Sequence, residues 1–124
     1  MMSKQRLMPD TPTLEISRLE EIFEDDTAGI ADLLEAAMQT GAGHQAALRD
    51  GLAARNLETV MRAAHAIKGS SANIGGNEVA AVAARIEGAA RAGTWDGIEP
   101  DIAELDAAYE RLRAAVAAYR KGLQ

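Results

Sequence analysis

Apolar residues recur at spacings of three and four along most of the chain, which is the repeat of one side of an α-helix. Residues 1–13 lack this repeat and carry two of the three prolines. We therefore expect 1–13 to be a flexible N-terminal tail and 14–124 to form one helical domain. The repeat first predicts a short helix at Ser17–Glu24, with Ser17 as its N-cap.

The second and longest apolar pattern begins near Asp25 and Asp26, either of which can cap a helix, and runs to about Arg55. Gly41 and Gly43 interrupt it, and each glycine costs a helix about 1 kcal/mol relative to alanine. We predict one long helix with room for an irregularity near Gly41. Two shorter helices are the alternative.

Three further helices are bounded by residues that start or end helices. Asn56 is predicted to cap the third helix and Asn77 the fourth, and the glycines at 75–76 and 93 end them. The fifth begins at about Glu99, after a turn. Because short connections make consecutive helices antiparallel neighbours, we predict an all-α, up-down-up-down four-helix bundle with an additional short N-terminal helix.

Composition narrows the possible functions. Lys and Arg total 13 and Asp and Glu total 19, a net charge of −6, so the chain lacks the basic surface of a nucleic-acid binder. It has no cysteine, hence no disulfide and no thiolate metal site. No run of 18 apolar residues is present, and the first dozen residues lack the apolar stretch of a signal peptide. We expect a cytoplasmic protein with no membrane contact.

The most informative segment surrounds His65 in the third helix. At 100° per residue, the centre of the apolar stripe lies roughly 130° from His65, so the imidazole should be substantially exposed. Lys68, Gly69, Met61 and Ala72 fall on the same side of the helix. A neutral imidazole nitrogen can attack a phosphoryl group, and Lys68 is placed to neutralise the charge that develops. Gly69 would leave the approach to the ring open.

The sequence from Ala63 to Gly75, with His65-x-x-Lys68-Gly69, resembles the signature of the histidine-containing phosphotransfer (Hpt) domains of two-component phosphorelays. The resemblance implies that His65 is phosphorylated on Nε2, that Lys68 stabilises the phosphate and that Gly69 gives clearance to a partner. Hpt domains also carry Glu or Gln 22 residues after the histidine, bonded to Nδ1. Glu87 occupies that position and would orient the imidazole.

The resemblance further implies a phosphocarrier that takes a phosphoryl group from the aspartyl phosphate of a receiver domain and passes it to another receiver aspartate. The expected partners are response-regulator receiver domains and a hybrid histidine kinase. Met61, Arg62 and Ala72 beside His65 are expected to contact the partner. Mg²⁺ would be bound by the receiver. We expect no cofactor, no metal site and no kinase activity in this chain, which has no phosphate-cradling glycine loop.

We expect a monomer, because a single histidine domain needs no second copy to work. Two alternative functions stay open at this point. The bundle could be a non-catalytic interaction or scaffold domain that binds a signalling partner without phosphotransfer. It could also be phosphorylated directly by a histidine kinase, without a receiver.

Overall fold

The computed structural model describes residues 12–122, in which all regular secondary structure is α-helical. The five helices are α1 (Ser17–Ile22), α2 (Thr27–Ala53), α3 (Leu57–Asn73), α4 (Asn77–Arg91) and α5 (Ile98–Lys121). Helices α2 to α5 each pack on the next, and α5 returns to α2, while α1 contacts α2. The predicted all-α bundle with an additional short N-terminal helix is confirmed.

Helix α2 is continuous through both of its central glycines, so the single-helix prediction is confirmed. Asp26 caps it by accepting a hydrogen bond from the Gly29 amide at 3.1 Å. Gly41 is buried against α5, and a Cβ atom placed there would lie 2.9 Å from Cε1 of Tyr109. Gly43 faces open space. The absence of a side chain at Gly41 thus lets α2 approach Tyr109 closely.

The sequence predicts the N-cap of α3 correctly but not the N-cap of α4. Asn56 caps α3 as predicted, accepting a hydrogen bond from the Thr59 amide at 3.1 Å. The predicted cap at Asn77 is wrong: Gly76 holds the N-cap position, and the Asn77 amide group donates to Glu15 Oε1 at 2.9 Å. The segment before α1 supplies this competing acceptor.

The first helix is also shorter and capped differently than predicted. Ile16 holds its N-cap position without a side-chain cap, so the predicted Ser17 cap is wrong. The helix ends at Ile22 rather than at Glu24, because Glu24 and Asp25 adopt positive φ angles of 50° and 66° and turn the chain into α2.

The segment before α1 packs over the turn between α3 and α4. The Glu15 amide donates to the Gly75 carbonyl at 2.8 Å, and Gly75 has a φ of 81°, which suits glycine. Most of the expected N-terminal tail, 1–11, lies outside the described residues. Of its last two residues, Pro12 accepts from the Glu78 amide at 3.2 Å, and the Thr13 hydroxyl donates to Glu78 Oε1 at 3.2 Å.

The core lies along the axis of the bundle and is built from one apolar stripe of each long helix. The apolar residues that recur at helical spacing along α4 and α5 are buried, apart from the half-buried Tyr119. Fully buried large side chains include Ile30, Leu34, Leu48, Val60, Ile67, Val82, Ile86, Leu105, Tyr109 and Leu112. None of the helices between residues 12 and 122 combines the length and apolarity that a membrane crossing requires.

Candidate functional site

His65 lies in the middle of α3, on the side that faces away from the core. Its helix neighbours Ala64 and Ile67 are fully buried, whereas the His65 side chain is 66% exposed. The predicted exposure is therefore confirmed. The cause is the helical repeat, because the apolar stripe of α3 fixes which of its residues face solvent.

Glu87 of α4 reaches the imidazole from the neighbouring helix. Its Oε2 lies 2.8 Å from Nδ1 of His65, and its side chain is only 6% exposed. An ionised carboxylate can only accept a hydrogen bond, so Nδ1 is the nitrogen that donates. This arrangement leaves the lone pair of the neutral ring on Nε2, the other nitrogen of the exposed side chain.

Two cations hold the buried carboxylate in its ionised form. Lys68 Nζ lies 2.8 Å from Oε1 of Glu87, and Arg91 Nη2 lies 2.6 Å from Oε2. The hydrogen bond from Lys68, supported by those from Arg91 and His65, outweighs burial and lowers the pKa of Glu87 from 4.5 to about 2. The four side chains form one polar cluster that joins α3 to α4.

Gly69 follows His65 by one helical turn. It is exposed, and a Cβ atom placed there would have no neighbouring atom within 4 Å in the described part of the chain. Packing inside the bundle therefore gives no reason for a glycine here. The surface beside the imidazole is open to an approaching molecule.

The expected partner-contact residues occupy different parts of this surface. Met61 is half-buried against the core, and with Arg62, His65 and Arg91 it lines a shallow cleft of about 270 Å³. The Arg62 guanidinium is paired with Glu58 of the same helix at 2.6 Å. Ala72 is exposed two turns along α3 and does not line the cleft.

Arg91 is not among the site residues predicted from the sequence, although a signal for it exists. Glu87 and Arg91 are four residues apart on α4, a spacing that places two side chains beside each other on a helix. The sequence motif predicts that Lys68 neutralises a phosphate, but it predicts no partner for Lys68 within the chain. Within residues 12–122, no group of three His, Asp or Glu side chains is arranged to hold a metal ion.

Comparison with known proteins bears on the fold and the family. The structure is similar to that of the histidine-containing phosphotransfer protein HptB from Pseudomonas aeruginosa PAO1, with a TM-score of 0.81 and 23% identity, over 89% of this chain and 96% of that chain. This likeness shows a shared fold. No curated protein matches the chain. The family model described as the Hpt domain matches residues 18–115, which is most of the chain. The chain therefore belongs to the Hpt domain family, whose members are phosphocarriers in phosphorelays.

Proposed function

We propose that His65 is the phosphoacceptor of this Hpt domain and that its donors and acceptors are receiver aspartates. Nε2 attacks the phosphorus of an aspartyl phosphate, the N–P bond forms, and the bond from phosphorus to the aspartate oxygen breaks. The aspartate leaves as a carboxylate. The reverse attack, by the aspartate of another receiver, returns the imidazole to its neutral form.

The observation that supports this most directly is the 2.8 Å contact between Nδ1 of His65 and the buried carboxylate of Glu87. It leaves Nε2 as the nucleophile. As Nε2 bonds to phosphorus, the ring becomes positively charged, and the carboxylate stabilises that charge through Nδ1–H. The ring needs no proton transfer in either direction of the reaction.

The neighbouring residues complete the proposed site. Lys68 is half-exposed on the same face of α3, and in this proposal its ammonium interacts with the incoming phosphoryl oxygens as well as with Glu87. Gly69 gives clearance to the receiver, and Met61, Arg62 and Ala72 contact it. We expect Mg²⁺ to be bound by the receiver and this chain to have no kinase activity. Every side chain of the cluster comes from one chain, so a monomer suffices.

The test is transfer of labelled phosphate from a phosphorylated receiver domain to this chain. The expected product is acid-labile and base-stable, as a phosphohistidine is. H65Q should accept no phosphate. H44Q is the matched control, since His44 is the other histidine of the chain and lies on α2, and it should accept phosphate like the parent. Labelled H65Q would overturn the assignment, and a parent chain that binds receivers without accepting phosphate would indicate a scaffold.

A further inference from the structure

The two cations on Glu87 differ in their relation to the imidazole. Lys68 binds Oε1, whereas Arg91 binds Oε2, the same oxygen that faces Nδ1 of His65. Arg91 Nη2 and His65 Nδ1 lie 2.6 Å and 2.8 Å from that oxygen. The guanidinium and the ring therefore bind the same carboxylate oxygen. This oxygen carries the part of the negative charge that lies nearest to Nδ1.

A carboxylate beside a histidine has two opposing effects on its nucleophilicity. It fixes the tautomer with the proton on Nδ1, which leaves Nε2 free. It also favours the doubly protonated imidazolium, because a negative charge close to the ring stabilises the positive form. An imidazolium has no lone pair on either nitrogen and cannot attack phosphorus. A cation paired with the glutamate offsets part of its charge and therefore weakens this second effect.

We propose that Arg91 is a positioning residue that balances the charge of Glu87, so that Nδ1 stays hydrogen-bonded while the His65 ring stays neutral and nucleophilic. This inference rests on the proposed phosphoacceptor role of His65. In the described part of the chain, the charged residues that pair with Glu87 or line the cleft beside the ring are Lys68 and Arg62 on α3 and Arg91 on α4. Arg62 pairs with Glu58, whereas the ion-pair partner of the imidazole is Glu87, so loss of Arg62 should leave the ring's charge balance nearly unchanged.

The decisive measurement is the protonation of the His65 ring in the unphosphorylated full chain, followed by ¹⁵N chemical shifts of both ring nitrogens between pH 5 and 8. In R91Q we expect the ratio of doubly to singly protonated rings at a given pH to rise about threefold, since a unit charge within a few ångströms of an exposed site has an effect of this order. R91K should restore most of the parent ratio. R62Q is the matched control in the same cleft and should leave the ratio unchanged.

The rate of phosphate transfer then tests whether the protonation of the ring affects the reaction. R91Q should accept phosphate more slowly than the parent at pH 6, and the difference should narrow at pH 8, because an imidazolium becomes less populated as the pH rises. R85Q removes the same charge from α4, but its pairs are Asp101 and Glu104 on α5, so it controls for net charge. An R91Q chain with the parent's ring protonation overturns the inference, even if transfer is slower, because Arg91 would then be a receiver contact. The ring measurement needs no phosphate, so its outcome is independent of the H65Q test.

Discussion

The ammonium of Lys68 binds the carboxylate of Glu87, with 2.8 Å between Nζ and Oε1. The residue proposed to stabilise a phosphoryl group is therefore already paired in the unphosphorylated chain. Its side chain is 41% exposed, so water screens the pair and the flexible stem can reorient. The incoming phosphoryl group would share this cation with Glu87, and Arg91 would continue to hold the carboxylate.

We predict that K68A slows transfer to His65 by about tenfold, because a cation placed at developing charge is lost from a partly exposed site. The bundle should still unfold cooperatively, since Arg91 continues to pair with Glu87. The measurement is the rate of labelling by a phosphorylated receiver. K121A removes the same charge from the end of α5, a helix that contributes no residue to the polar cluster, and is the control. A parent-like rate in K68A would show that Lys68 only supports Glu87.

Substitution of Gly69 should raise the stability of the protein but slow phosphate transfer. With open space at its Cβ position, G69A should stabilise the helix by about 1 kcal/mol, and G69Q should do nearly as well. Transfer should slow in G69A and slow further in G69Q, as the side chain obstructs the receiver. Urea unfolding and labelling rates measure the two effects.

The matched control for Gly69 is Gly43, which also faces open space from within a helix but lies on α2. G43A should give the same stabilisation without slower transfer. Equal transfer rates in G69Q and the parent would remove the clearance role from Gly69.

Replacing Gly41 by alanine should destabilise the protein, whereas the same change at Gly43 should stabilise it. A Cβ atom at Gly41 would lie 2.9 Å from Cε1 and from the hydroxyl of the buried Tyr109, so α2 or the ring must shift. We predict that G41A destabilises the protein by about 1–3 kcal/mol, the usual cost of overpacking a core. The midpoint of urea unfolding should fall in G41A and rise in G43A. A rise in both would mean that the α2–α5 contact tolerates a methyl group without cost.

Glu87 should make the stability of the protein fall in acid. Its folded-state pKa of about 2 lies below the ordinary value of 4.5, so the stabilisation is complete above pH 4.5 and is lost as the pH falls towards 2. The difference in pKa corresponds to about 3 kcal/mol. Urea unfolding of the parent and E87Q at several pH values isolates this contribution. The gap between the two proteins should narrow from pH 5 to pH 2, and a constant gap would contradict the lowered pKa.

Local sequence rules predicted most of the helical framework. The start of α2 at Asp26 and of α3 at Asn56 follow from side chains that cap their own helix. The exposure of His65 follows from the helical repeat of α3 alone. Both kinds of rule concern residues within a few turns of each other, so a sequence contains all the information that they need. The family resemblance added the candidate roles of Lys68, Gly69 and Glu87.

Contacts between elements were decided only by the tertiary structure. Asn77 has the side chain of a cap, yet it donates to Glu15, because the segment before α1 crosses the turn after α3. From the sequence alone, Gly41 is expected only to weaken α2. In the folded chain, its lack of a side chain makes room for Tyr109 of α5.

The features of the site also fall into those set by the local sequence and those set by tertiary packing. The sequence by itself determined that His65 faces solvent, because the turn of a helix is fixed by its backbone. Which cations meet on Glu87 depended on the rotation and spacing of α3 against α4, which the packing of both apolar stripes sets. The balance of charge at the imidazole is therefore a property of the folded pair of helices.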